Sequence, residues 1–504
     1  MDLDAFRLRT LLDRLIADGE VAVRDAPTPL AAVSGLLEAS DQAVFFRNAG
    51  PERFELVGGI AGSRRRLGVA FDCAPDRLAL AYLDRMSRPQ KTIDIPHADA
   101  PVQAIQITGD AIDATKLPFH LQHERDGAPY ISSAIDFAID PVSGKRNVGC
   151  RRLMLCGRRE LRANLTQQSD LKAMYLAAAA RGEHLPVNFA IGTHPADLLA
   201  SSVRLPLDEF DLIATLRGAP LAMVPALTNA IPVPADAELI IEGYFDRAGY
   251  TEREGPYGEL LGYYGPIHDN PAYRITAITM RRDVLHQTIL HGAVRLARTE
   301  SVQIGAMLLE AQLWQELRAA GIPVIAVNGC AATGGMVSAR ASVRANGRRA
   351  VEIMLAHRFL KHAIVTDESI DIFSDEEVDW AMSTRLNPER DIITVPGQMA
   401  FPMDLAASDR TITKIGYDLT ARMAVGGIRA AIVRAPRLVA AKRFDDAHAA
   451  LAEGPKSFAA LMAAVGSEDG RELVVELERL KAARTADGEW CLSNLRSGQE
   501  EVLF

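Results

Sequence analysis

The densest cluster of chemistry-bearing residues is Arg253-Glu254-Gly255-Pro256-Tyr257-Gly258-Glu259, which continues through Gly262, Tyr263, Tyr264 and Gly265. Two carboxylates five residues apart are bracketed by glycines and a proline. Gly255 and Gly258 are costly inside a helix and Pro256 lacks an amide hydrogen, so this segment must be a loop. Such a loop lets backbone approach a ligand closely while presenting Glu254 and Glu259 from a fixed turn. The same composition also suits a solvated acidic turn between two strands. A glycoside hydrolase also works with paired acids. Two acids on one tight loop are poorly placed to flank a sugar bond, however, and aromatics make up only 6% of the chain.

A second cluster, Arg146-Asn147-Val148-Gly149-Cys150-Arg151-Arg152, follows the turn Asp140-Pro141-Val142-Ser143-Gly144. Arg152 enters the apolar run 153–155, an odd place for a cation unless it meets an anion. A guanidinium fork suits a substrate carboxylate and would also hold a glutamate in place; the alternative is the surface strand of a basic hairpin. A third cluster holds Ala200, Ser201, Ser202, Val203, Asp208, Glu209 and Asp211. Its carboxylate and carbonyl oxygens could bind Mg²⁺, Mn²⁺ or K⁺, and an acid-rich helix N-terminus explains the same residues.

The elements that must position these clusters fall into three textures, in a chain too long for one ordinary core at 504 residues. Residues 1–98 mix helical and strand-like pieces, opening with an amphipathic helix through Ala5, Leu8, Leu11, Leu12 and Leu15. Residues 99–305 are mostly β, with alternating runs at 131–139, 152–156, 187–191, 238–242 and 272–280 and a clear helix at 170–180. A β-barrel with a helical insertion fits that pattern. Residues 306–504 alternate helices (307–320, 345–356) with strands (323–327, 363–366, 392–395), which predicts a parallel α/β sheet. Ser374-Asp375-Glu376-Glu377 is a capping box, and residues 471–484 read as an exposed helix suited to packing on a partner subunit. The fold class expected is therefore multidomain α/β with a central barrel.

A net charge of −9 and the lack of a basic run interleaved with aromatics argue against a nucleic-acid groove. No nucleotide-binding glycine motif opens a helix. The first ten residues lack a signal-peptide pattern and no apolar run reaches membrane length. Five cysteines, none in a Cys-x-x-Cys pair, are expected to be free thiols in a cytoplasmic protein.

Taken together, the motifs resemble the UbiD-type decarboxylases that use prenylated FMN. The resemblance rests on Asp126-Gly127-Ala128-Pro129-Tyr130-Ile131, Asp140-Pro141, Asn147 with Arg152, Gln167-Gln168, Leu185-Pro186, Asp208-Glu209, Glu242-Gly243 and the Glu254–Glu259 loop. Asp367, Asp371, Phe373 and Thr413-Lys414-Ile415-Gly416-Tyr417-Asp418 extend it, so that it spans about residues 100–420.

The resemblance implies an N-terminal α/β portion (1–98), a split β-barrel that binds the flavin (99–305), and a C-terminal α/β domain with an oligomerisation tail (306–504), working as a homodimer or higher oligomer. It places Arg152, Glu254 and Glu259 as the catalytic network, with Glu259 as proton donor, held neutral by burial and a neighbouring carboxylate. It places Asn147 and Glu209 as ligands of an Mn²⁺ or Mg²⁺ ion that clamps the cofactor phosphate, and Ala200, Ser201 and Val203 at a K⁺ site. Gln168, Ser169 and Ser201 would meet the cofactor, and Phe401 and Met403 would line the substrate pocket.

The implied partners are a small carboxylic acid as substrate and a flavin prenyltransferase as cofactor supplier. One departure stands out. Many relatives have Gln-His where this sequence reads Gln168-Ser169-Asp170; Ser169 is a poorer ligand, and Asp170 could supply an oxygen but would repel a phosphate unless the metal lies between them. That substitution supports an alternative, a non-catalytic subunit or scaffold, which the intact Arg152, Glu254 and Glu259 set opposes. His286, His291 and His357 lie near matched stretches and stay open between function and packing.

Overall fold

The computed structural model describes residues 2–166, 168–331, 335–420, 432–435 and 442–493. The chain divides into two compact units, residues 1–420 and 421–504.

The first helix, Leu8–Ala17, buries Leu8, Leu11, Leu12 and Leu15 as the 3.6-residue spacing predicts, whereas Ala5 precedes it and is exposed. It packs beside a small sheet in which Val21–Arg24, Ala43–Ala49, Phe54–Gly58 and His286–Gln287 are neighbours. The last of these strands comes from far along the chain, so the N-terminal portion is tied to the segment that leads toward residue 291.

The central β region closes on itself. Leu239–Phe245, Leu185–Ile191, Tyr130–Ile139, Arg146–Gly157, Glu160–Ala163 and Ala272–Met280 are neighbours in that order, and the last pairs back with the first. All these pairings are antiparallel, giving a six-stranded barrel without a free edge. Alternate residues enter different cores. Ile135, Phe137, Ala190 and Ile240 join the N-terminal helices, while Ala134, Ala138, Phe189 and Ile241 pack with Phe245 and Tyr273. Both strand faces are covered, so positions of both parities carry buried apolar residues, with Asp136, Asn188 and Glu242 buried among them. The helix Asp170–Ala180 lies within the barrel region as an insertion, with Tyr175 edge-on to Phe245.

The C-terminal sheet runs Val324–Asn328, Ser338–Val343, His362–Thr366, Thr411–Asp418, Ile392–Met399. Its three middle strands are parallel, as helix–strand alternation predicts, and the helix Gly347–Ala356 makes the crossover. The two edge strands run antiparallel, so the sheet is mixed. Ser374 caps the helix Asp375–Arg385 by accepting from the Glu377 amide at 3.3 Å, as the capping box predicts.

The described residues of the second unit hold three short helices. In one of them, Gly470–Arg479, Leu473 and Leu477 are buried with Leu451 and Leu461. That apolar stripe, which the sequence offers to a partner, is covered within the unit itself. Among the described residues no helix is long and apolar enough to cross a membrane.

Candidate active site

Arg152 sits in the strand Arg146–Gly157 at a break in register. Leu153 pairs with Ile131 and Arg151 with Ala134, so Ser132 and Ser133 together oppose Arg152. Such a bulge re-aims the side chain opposite it. Both serines are anchored, Ser132 Oγ donating to the Ile289 carbonyl at 2.8 Å and Ser133 Oγ to that of Gln287 at 2.7 Å.

The acids come from the loop that the glycines and Pro256 predict. Glu252–Glu254 pairs with His268–Asn270, and Tyr257–Gly258 with Tyr264–Gly265. Glu259 stands at the tip of this hairpin: its amide donates to the Tyr263 carbonyl at 2.7 Å and its carbonyl accepts from the Gly262 amide at 2.9 Å. Gly262 takes a φ of +80°, a backbone conformation that side chains disfavour. Asp126 pins the hairpin base by accepting from the Gly258 amide at 3.1 Å.

Strand and hairpin bring all three charges together. Arg152 donates from Nε and Nη2 to the two oxygens of Glu254 at 2.8 and 3.0 Å, and from Nη1 to Glu259 Oε1 at 2.5 Å. Tyr130 Oη donates to Glu254 Oε1 at 3.1 Å, and the guanidinium lies over the Tyr257 ring, 4.5 Å from its centre. The Glu254 side chain is fully buried, and those of Arg152 and Glu259 are 10% and 17% exposed. In such surroundings each charge depends on its partner.

The ionisation of Glu259 differs from the sequence expectation of a neutral acid. Burial pushes its carboxyl upward, but His291 and the Arg152 guanidinium outweigh burial and hold it down to about 2. The neighbouring carboxylate that was expected to favour the neutral form, Glu254, is itself taken up by two donors of Arg152. His291 Nε2 lies 3.9 Å from Glu259 Oε2, and His291 Nδ1 lies 2.7 Å from Ser301 Oγ.

The residues expected at the metal sites are only partly brought together. Asn147 donates from Nδ2 to Asp136 Oδ2 at 3.1 Å, and the next amide, that of Val148, donates to Glu209 Oε2 at 2.6 Å. Burial pushes the Glu209 carboxyl upward, as expected of a buried acid that a hard cation would relieve. Asp170 is instead ion-paired to Lys145 at 2.5 Å and to Arg204, and Ser169 Oγ caps its helix by accepting from the Lys172 amide at 3.2 Å. Ser201 Oγ donates to the Leu198 carbonyl at 2.8 Å, while the Ala200 carbonyl accepts from the Val203 amide at 3.2 Å. Gln168 is exposed, and Gln167 lies outside the described residues.

Among the described residues no group of three or more His, Cys, Asp and Glu could hold a metal. An oxygen-bound cation fits on Asn147 and Glu209 only if a bound molecule or water supplies its other ligands.

Phe401 is buried with Leu260, Val302 and Val337, and Leu261 and Met403 pack against that cluster. Leu260 and Leu261 directly follow Glu259, so the pocket candidates adjoin the hairpin tip. His286 is a packing residue: burial pushes it down to about 4, and its ring meets Phe54 edge-on. His357 lies 3.2 Å from Glu316 on the surface.

A family model for the 3-octaprenyl-4-hydroxybenzoate carboxy-lyase Rift-related domain (UbiD) matches residues 94–294, and one for the C-terminal domain of the same carboxy-lyases matches 302–419. The chain belongs to the UbiD family. It is a carboxy-lyase.

Among UbiD relatives, the anhydromevalonate phosphate decarboxylase of Methanothermobacter thermautotrophicus is 28% identical over 426 residues, covering 83% of this chain and 97% of that protein. The UbiD-class enzyme HmfF from Pelotomaculum thermopropionicum, solved in complex with FMN, is 30% identical with a TM-score of 0.79, covering 85% of this chain and 97% of that one. An evolved dimeric form of HmfF in complex with prFMN is also 30% identical, with a TM-score of 0.75 and coverages of 84% and 98%. The second compact unit, 421–504, lies beyond both UbiD family matches.

Two parts of the site were not legible beforehand. The sequence offers Tyr257 only as part of a loop, and nothing in its spacing announces a ring beneath Arg152. The sequence leaves His291 open between function and packing; the one local signal is the glycine after it. Gly292 has no room for a side chain, because a Cβ there would collide with the Glu259 carbonyl.

Proposed function

We propose that this protein catalyses the reversible, non-oxidative decarboxylation of an α,β-unsaturated or (hetero)aromatic carboxylic acid on prenylated FMN. The observation that carries the reading is Arg152 joined to both Glu254 and Glu259 beside an apolar cluster, in a chain of the UbiD family. The solved relative HmfF in complex with prFMN supports the cofactor. When bound, prenylated FMN supplies the electron sink that departure of carbon dioxide requires and that no side chain provides.

The chain's own residues do the rest. Arg152 orients the substrate carboxylate, with Glu254 fixing the guanidinium plane through two parallel hydrogen bonds. Phe401 and Met403 with Leu260 and Leu261 exclude water around the apolar part of the acid. Glu259 delivers the proton to the carbon that loses carbon dioxide. Asn147 and Glu209 would hold an Mn²⁺ or Mg²⁺ ion for the cofactor, with Gln168, Ser169 and Ser201 beside it and Asp170 able to join on release from Lys145 and Arg204. The turn at Ala200, Ser201 and Val203 would hold K⁺. The working enzyme is a cytoplasmic homodimer or higher oligomer supplied by a flavin prenyltransferase, with the functional partition at residues 1–98, 99–305 and 306–504.

The test is co-expression with a flavin prenyltransferase, followed by incubation with cinnamate, 4-hydroxybenzoate, furan-2-carboxylate and anhydromevalonate phosphate and detection of carbon dioxide. Release from at least one acid is expected. A flavin-loaded protein that releases none would overturn the reading. A second reading, a non-catalytic subunit, is favoured by the engagement of Asp170 with Lys145 and Arg204. It predicts a protein that retains no flavin at all.

A further inference from the structure

A proton donor must first hold a proton, and Glu259 is kept ionised. Its two oxygens have different partners: Oε1 accepts from Arg152 Nη1 at 2.5 Å, and Oε2 faces His291 Nε2 at 3.9 Å. Because Nε and Nη2 of Arg152 both serve Glu254, Nη1 is the donor for which a substrate carboxylate competes with Glu259.

His291 is held on both sides and through its ring. The Leu290 amide donates to Glu300 Oε2 at 2.8 Å and the Leu290 carbonyl accepts from the Glu300 amide at 3.2 Å. The Gly292 carbonyl lies 2.8 Å from His123 Nε2, and Ser301 Oγ lies 2.7 Å from His291 Nδ1. Three contacts fix the backbone on either side and one holds the ring of His291, whose other nitrogen lies 3.9 Å from the carboxylate; the side chain is 26% exposed, so it meets water.

We propose that His291 is the positioning residue that loads Glu259 with its proton, held in orientation by Ser301; the proposal rests on the decarboxylation reading above. When the substrate carboxylate takes Nη1 of Arg152, Glu259 loses the cation on Oε1 and becomes more basic. A proton then passes from His291 Nε2 to Glu259 Oε2, leaving a neutral imidazole and a neutral carboxylic acid. Glu259 gives that proton to the substrate carbon and returns to the carboxylate, and His291 regains a proton from water. One solvent proton enters for each carbon dioxide released. The 3.9 Å separation is longer than a hydrogen bond, as catalytic contacts often are before substrate closes them. Among the described residues the other titratable groups around this pair include Glu254 and Tyr257 on the hairpin, Tyr130 on Glu254, His123 with Asp126, and Glu300 at the start of the helix Glu300–Ala319.

Two measurements test it. Infrared difference spectra of the flavin-loaded protein between pH 4 and 8, with the Glu259 band assigned by its absence in Glu259→Gln, need no substrate. The wild type is expected to show Glu259 as a carboxylate throughout. In His291→Gln the protonated carboxyl of Glu259 should appear at the acid end of this range, and a carboxylate throughout would overturn the proposal.

With any acid that the wild type consumes, His291→Ala is expected to lose about 100-fold in kcat with KM within about twofold. Added imidazole should restore part of that loss, and Ser301→Ala should lose less than His291→Ala. Wild-type kcat in His291→Ala, or a loss that imidazole never restores, would also overturn it. A flavin-loaded wild type that consumes no acid would sink the decarboxylation reading instead, and the infrared result alone would then decide the coupling of His291 to Glu259.

Discussion

Arg152 meets Glu254 edge to edge, Nε on one oxygen at 2.8 Å and Nη2 on the other at 3.0 Å, across 102 residues of sequence. This pair fastens the barrel strand to the acidic hairpin. Arg152→Ala would leave two largely buried carboxylates without their cation, which costs about 3–5 kcal/mol. Arg152→Lys keeps the charge but cannot serve both acids in the same geometry. Denaturant unfolding should rank wild type above Lys above Ala, and both variants should lose turnover.

Glu259→Gln removes the proton donor while keeping the shape of the hairpin. Turnover is expected to fall by about 100-fold or more, with the flavin absorbance band unchanged. A spectrum and a carbon dioxide assay on the same sample check both halves.

Gly292→Ala touches neither acid nor arginine, yet its methyl would collide with the Glu259 carbonyl. Displacing that carbonyl shifts the hairpin tip. Overpacking of this kind costs about 1–3 kcal/mol, and kcat should fall much further than stability does. Melting curves beside kcat separate the two effects.

Glu300 gives the fold a pH dependence that can be isolated. Burial raises its carboxyl to about 7, partly offset by the amides of Leu290 and Ala61 and by Arg66. A folded-state value above the unfolded one means that this group's contribution is full below about pH 4.5 and is lost as pH rises through 7. The difference in unfolding free energy between wild type and Glu300→Gln should therefore move by about 3 kcal/mol against the wild type from pH 4.5 to pH 8. Urea titrations of both proteins at the two pH values measure it.

Asn147→Ala and Glu209→Ala should lose the flavin absorbance band rather than the chemistry of bound flavin. Excess Mn²⁺ should not restore the band in Glu209→Ala, because the buried carboxylate is the charged member of that pair.

The barrel strands were legible because short alternating runs lie between turn residues, and 272–280 matches its strand end to end. The acidic hairpin was legible because Gly255, Pro256 and Gly258 exclude a helix. The antiparallel edges of the C-terminal sheet were not, since strand direction depends on which neighbour a strand finds and not on its own alternation.

The structure joins Glu259 to Arg152 and differs from the sequence reading over its charge state. The expectation weighed burial and a neighbouring carboxylate, whereas the structure adds His291, which lies 32 residues further along and reaches the site through the segment 286–292. Asp170 is engaged by Lys145 and Arg204, which come from other elements, and no local pattern announces them.

The most direct measurement is carbon dioxide release by flavin-loaded wild type and Glu259→Gln side by side on the same panel of acids, with flavin content recorded for each. The wild type should consume at least one unsaturated or aromatic acid and the variant, equally loaded, almost none. Equal rates in the two proteins would remove Glu259 from the proton transfer and contradict the account.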